Sequence, residues 1–164
     1  MSNCKKEKGF TIIEVVLVLA IAGLIFLMVF IALPALQRSQ RDTQRKNDLA
    51  RLNTALTSYQ SNNKGKLPSA STAGTENEAW AKFVKNYVTN GTDDNFNDPS
   101  SGAAYVINHN TAKPDTMEFS TTNPTIQAVV GATCDGEDVT LEQGGRKVAF
   151  LMKLEGNGTA CVNN

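Results

Sequence analysis

Nineteen consecutive residues, Val15 to Leu33, carry neither a charge nor a polar side chain. That run limits what the chain can become. A helix rises 1.5 Å per residue, so Phe10 to Leu33 would extend about 36 Å, enough for a hydrocarbon core of about 30 Å. Apolar residues occur on every side of such a helix, so it is not an amphipathic helix lying on one core. It spans a membrane, or it is buried among other apolar helices. Glu14 is the one acid near its start, and an acid at that depth is a functional candidate by default. Lys5, Lys6 and Lys8 outweigh Glu7 ahead of it. By the positive-inside rule they keep the N-terminus cytoplasmic and send the residues after Leu36 across the membrane.

A secretory signal peptide is the competing reading, with Ala20-Ile21-Ala22 as a small-residue cleavage site. The apolar run continues well past that point, and Glu14 would interrupt the hydrophobic region. Cys4 precedes the apolar segment, which argues against a lipoprotein signal.

The segment Lys8-Gly9-Phe10-Thr11-Ile12-Ile13-Glu14, followed by the apolar run, resembles the N-terminus of a type IV pilin precursor. The resemblance covers Lys8 to Leu36, and the helical continuation beyond it agrees. It implies cleavage between Gly9 and Phe10 by a prepilin peptidase, N-methylation of Phe10, and a required acid at Glu14. It also implies an inner-membrane assembly platform, and self-association with other pilins into a helical polymer. Cleavage would leave a cationic amine on Phe10. In a packed bundle, Glu14 of one subunit would pair with the Phe10 amine of a neighbour, since an unpaired acid in a low-dielectric interior is costly. Glu14 is thus expected to set assembly register; the alternative is an acid snorkelling to the headgroups.

The expected organisation is a leader (1–9), a hydrophobic helix (10–36), an amphipathic continuation (37–61) and a globular head (62–164). The fold class is α+β, a long N-terminal helix packed on a small antiparallel sheet, as in pilins. Leu49, Leu52, Leu56 and Tyr59 form one apolar stripe for that sheet. Other faces carry Arg38, Arg41, Arg45, Lys46 and Arg51, with Asp42 and Asp48 nearby. Arginines just outside the span run against the positive-inside preference; they are expected either to pair between subunits or to form a solvated face. Pro34 and Gly23 weaken the helix, Pro34 by removing the hydrogen bond to the Phe30 carbonyl.

Residues 69–77 read as a loop. A short helix is expected from Glu76 to Val88 with Trp80, Phe83, Val84 and Tyr87 packing on one side. Strands are expected at 103–108, 116–120, 125–132, 139–143, 147–154 and 159–162, and the clearest hairpin turns at Gly144-Gly145. In its second strand Val148, Phe150, Met152 and Leu154 share a face and would cover the helix stripe.

Cys134 and Cys161 remain after the leader and Cys4 are removed, and two cysteines in an exported head most simply form a disulfide. Closing that loop is worth about 3.6 kcal/mol in the chain-entropy description. Asp93, Asp94, Asn95, Asn97 and Asp98 form an oxygen-rich cluster that could ligate calcium. Asx turns ahead of Pro99 explain the same composition without metal, and EF-hand spacing is missing. No other cofactor is expected. Zinc is disfavoured by a single histidine, His109, and by the absence of a CxxC motif. Asn90-Gly91-Thr92 and Asn157-Gly158-Thr159 match the glycosylation sequon.

Lysines and arginines balance aspartates and glutamates, so overall charge does not point to nucleic acid. Lys64, Lys66, Lys82 and Lys85 are too dispersed for a DNA surface. No motif for nucleotide binding, metalloprotease chemistry or a serine nucleophile occurs, and no catalytic residue is expected. The expectation is a pilin, resident in the cytoplasmic membrane as a precursor and later in an extracellular pilus serving adhesion, twitching motility or DNA uptake. The alternatives are a pseudopilin of a secretion or competence pseudopilus, and a single-pass anchored binding domain that does not polymerise.

Overall fold

The computed structural model describes residues 9–69, 75–89, 96–142 and 144–164. Helix α1 runs Ile12–Asn62 and contains Pro34. The chain divides into two units, Met1–Gln37 and Arg38–Asn164. Among the described residues of the first unit, the side chains from Phe10 to Leu36 are solvent-exposed almost without exception. This is one helix long and apolar enough to cross a membrane.

In the second unit, the C-terminal part of α1 packs on a four-stranded sheet. The strands are β1 (Val106–Asn110), β2 (Thr125–Val130), β5 (Val148–Lys153) and β6 (Thr159–Asn163), in spatial order β1-β2-β5-β6. Leu49, Leu52 and Leu56 are fully buried against Val148, Phe150 and Met152, with Leu154 beside them, so the expected stripe and strand face meet. Helix α2 (Glu76–Phe83) starts with a capping box between Thr75 and Glu78 and continues as one π turn, Val84–Val88. Trp80 and Phe83 join the same core edge-on to each other, as the aromatic stripe implied.

The other sheet face carries a second core of Val129, Ala149 and Leu151 beneath a hairpin of β3 (Ala132–Asp135) and β4 (Asp138–Leu141). That hairpin corrects the sequence reading. β4 pairs with β3 across Gly136, whose φ is +65°, and does not pair with β5. β5 lies between β2 and β6, antiparallel to both. The reason is burial: five successive residues, Val148 to Met152, are buried, which requires cover on both faces and a central position. Two further corrections concern the sheet. β1 and β2 are parallel, so the sheet is antiparallel-rich rather than wholly antiparallel. Residues 116–120 are irregular, and the run 125–132 divides at Gly131, where φ is +72°.

Candidate functional site

Gly9 and Phe10 precede α1 and are exposed. Thr11 occupies the N-cap position. Its backbone N–H and its hydroxyl each donate to Glu14 Oε2 at 2.8 Å, and Glu14 N–H lies 3.4 Å from the Thr11 hydroxyl. This is a capping box: the side chain three residues into the helix satisfies an N–H that no helical carbonyl can reach. Glu14 therefore has a partner within its own chain, which revises the expectation of a partnerless acid. The signal was present in the sequence as Thr-x-x-Glu. Glu14 Oε1 accepts no hydrogen bond among the described residues, and an open groove lined by Phe10, Val15, Val18 and Leu19 runs beside the carboxylate. One oxygen caps the helix; the other is available to a cation.

A second cluster lies where α1 meets the head loops. Arg45 is fully buried and its Nε donates to Asp98 Oδ1 at 2.6 Å. Its other nitrogens donate to Asp42 at 2.9 Å and to the Ser100 hydroxyl at 2.9 Å, and its guanidinium stacks 4.8 Å from the Phe119 ring centroid. Arg41 grips Glu155 through two nitrogens. Asp42 in turn accepts from the Glu155 and Gly156 backbone N–H groups, each at 3.0 Å. Burial raises the Asp98 carboxyl, but the hydrogen bonds from Arg45 and Ser100 outweigh it and hold the group below the usual carboxylate range. The hydrogen bond from Arg41 holds Glu155 low as well. Asp48 is the contrast: burial pushes it up, although the Tyr105 hydroxyl donates to it at 3.0 Å.

Arg41 and Arg45 are thus neutralised inside their own chain rather than forming a solvated face. Sequence spacing missed this because Asp98 and Glu155 are 53 and 110 residues from Arg45.

Asp98, one of the oxygen-rich residues, gives Oδ1 to Arg45 and Oδ2 to Ser100 and Ser101. Asn97 makes an isolated bridge to Ala104. Asp93, Asp94 and Asn95 lie outside the described residues, as does the sequon Asn90–Thr92. Asn157, in the other sequon, sits in a turn with φ +68°. Cys134 on β3 and Cys161 on β6 are joined by a disulfide with a Cα–Cα distance of 5.8 Å, tying the hairpin to the sheet. His109 stacks on Trp80, with 6.5 Å between ring centroids.

Residues 4–30 match a family model described as the prokaryotic N-terminal methylation motif. This is the prepilin-type processing motif of type IV pilins and pseudopilins. No curated protein and no solved structure matches the chain.

Proposed function

We propose that this chain is a structural subunit of a type IV pilus-like filament. A prepilin peptidase cuts it between Gly9 and Phe10, Phe10 is methylated, and the mature chain polymerises through its apolar helix. The observation that carries the reading is the methylation motif at residues 4–30, leading directly into an apolar helix with no cover of its own. Such a surface is stable in lipid, or packed against copies of itself. The precursor is a membrane-anchored protein with its head on the far side; assembly removes the helix from lipid and buries it in a bundle.

Glu14 suits both stages. In the single chain it caps its own helix through one oxygen. In a bundle the other oxygen takes the Phe10 amine of an adjacent copy. The head, held together by two cores and a disulfide, forms the outer coat. The role is structural rather than catalytic.

Mass spectrometry of the mature chain tests the reading, together with electron microscopy of cells that make it. The expected result is a polypeptide beginning at N-methylated Phe10 and long surface filaments containing it. Short periplasmic assemblies in place of long filaments would assign it to a pseudopilus. A chain that keeps Met1 and stays dispersed in lipid would overturn the proposal.

A further inference from the structure

The turn between β5 and β6 holds a reactive pair. Asn157 is followed by Gly158, a dipeptide the sequence repeats at Asn90-Gly91, outside the described residues. A side chain on the residue after an asparagine crowds that residue's amide nitrogen; glycine has no Cβ and leaves it open to close approach. Asn157 lies in the left-handed region, with φ +68°, which asparagine adopts more readily than most residues. Its side chain is exposed and makes no hydrogen bond among the described residues.

The bonds around this turn leave one peptide plane loose. Asn157 N–H donates to the Leu154 carbonyl at 3.2 Å, and Leu154 N–H donates to the Gly158 carbonyl at 2.8 Å. Gly156 N–H is held by Asp42 and Thr159 N–H by Glu137. Between them, Gly158 N–H makes no hydrogen bond among the described residues. The carbonyl of that same peptide, Asn157 C=O, accepts from Lys153 Nζ at 2.7 Å, and a lysine side chain can follow it as it turns. The plane can therefore rotate and bring Gly158 N onto Cγ of Asn157 without breaking a main-chain hydrogen bond.

Lys153 sits where charge develops. When Gly158 N gives its proton to solvent, the negative charge spreads onto the Asn157 carbonyl oxygen, the atom that Lys153 Nζ contacts. A cationic donor on that oxygen makes a charge-assisted hydrogen bond that strengthens as the charge grows. Glu137 opposes it, since a Cβ on Gly158 would stand 3.2 Å from Glu137 Oε1. That carboxylate is exposed and already accepts from Thr159 N–H at 3.1 Å, whereas Lys153 is bonded to the charged oxygen itself.

We propose that Asn157 is a self-modifying site, at which Gly158 N displaces ammonia from the Asn157 side chain with Lys153 assisting, and water completes the conversion to a carboxylate. The bond from Gly158 N to Cγ forms as the bond from Cγ to Nδ2 breaks; Nδ2 takes up a proton and leaves as ammonia. Water then opens the cyclic imide. Opening at Cγ gives aspartate. Opening at the backbone carbonyl sends the main chain through Cβ and Cγ and gives isoaspartate. Nothing is oxidised or reduced, and water is the co-reactant. Either product puts a new carboxylate beside Lys153. Isoaspartate also lengthens a turn tied to Asp42 of α1 at Gly156 and to Glu137 at Thr159, so it loosens the hold of the turn on the helix. The site does not depend on the filament reading.

The test follows the full detergent-solubilised chain in heavy-oxygen water at neutral pH, folded or unfolded in urea, with mass spectrometry of the peptide containing residue 157. The folded wild-type chain is expected to take up label at residue 157 and to give both products. Lys153→Met is expected to slow this roughly tenfold in the folded chain, as one charge-assisted hydrogen bond is lost from the transition state, and to leave the unfolded rate unchanged. Lys153→Arg, which keeps a cationic donor, is expected to retain most of the folded rate. Circular dichroism and disulfide formation report folding; should Lys153→Met not fold, Lys153→Gln takes its place. A folded chain still unlabelled at residue 157 when the unfolded chain has converted would overturn the proposal. Equal folded rates for wild type and the lysine variant would do the same, as would an equal slowing in urea, which would assign the effect to neighbouring sequence. A glycan on Asn157 Nδ2 of the chain isolated from cells would also refute it, because that nitrogen could not then leave as ammonia.

Discussion

Arg45 and Asp98 form a fully desolvated ion pair, Nε to Oδ1 at 2.6 Å, with the guanidinium also bound to Asp42 and Ser100. The pair joins the helix to the loop after residue 96, and the Arg45 side chain has no exposed surface. Its energetics are asymmetric. Exchanging both partners for apolar groups of similar size is tolerable, whereas removing Asp98 takes from the buried guanidinium its one fully buried counter-charge and leaves it only the part-exposed Asp42 and Glu155.

Asp98→Ala is therefore expected to destabilise the head by about 3–5 kcal/mol, and Arg45→Met with Asp98→Leu by much less. Chemical denaturation of the detergent-solubilised chain, followed by Trp80 fluorescence, measures both. Equal losses would mean that the pair itself, rather than the orphaned charge, carries the energy.

The depressed carboxyls set a pH response. Asp98 and Glu155 have folded values below their unfolded ones, so the folded state holds fewer protons there. Their contribution is complete above the unfolded value, about 4, and is lost as pH falls below it through the folded values. Asp48 has the opposite sign. Its folded value is raised by burial, so ionising it above about pH 4 costs stability. Asp48→Asn, which keeps an acceptor for Tyr105, is expected to stabilise the chain at pH 7, with the gain shrinking on acidification. A gain that grew at low pH would reverse this assignment.

Reduction of Cys134–Cys161 is expected to cost about 2–4 kcal/mol. The loss should fall first on the β3–β4 hairpin, whose other ties to the sheet are a small apolar cluster and a few side-chain hydrogen bonds. Amide hydrogen exchange with and without reductant checks this: protection should fall in β3 and β4 before β2 and β5.

Glu14→Gln separates capping from charge. The amide oxygen still accepts from Thr11 N–H, so the start of the helix survives, but no counter-charge remains for a Phe10 amine. On the filament reading, filaments are expected to be lost with Glu14→Gln. Filaments from Glu14→Gln at near wild-type yield would reduce the role of Glu14 to the cap, worth about 1 kcal/mol.

What was legible in the sequence follows the range of the signal. The presence of α1 and α2, the stripe Leu49-Leu52-Leu56 and the face Val148-Phe150-Met152 depend on periodicity within one element, and the structure has them, with α2 ending at Phe83 and a π turn over Val84–Val88 in place of one helix to Val88. The partner of β4 is a choice among strands, and the Gly144-Gly145 turn signal competed with the Gly136 turn. The burial of Val148 to Met152 on both faces decided for the latter. A parallel β1–β2 pair needs a crossover of residues 111–124, which leaves no periodic trace. At the N-terminus, the local signal Thr-x-x-Glu sufficed to find Glu14's partner but was read only for its acid. The Arg45 cluster joins residues far apart in the chain, and no spacing rule anticipates it.

The bare helix has a consequence for traffic. With its side chains from Phe10 to Leu36 open to their surroundings, a copy has two permitted neighbourhoods, acyl chains or sister helices, and no stable existence in water between them. On the filament reading proposed above, recruitment and release would occur at the bilayer, one copy at a time at the root of the growing structure, and a fibre sheared from the cell would not dissolve into single copies to be reused.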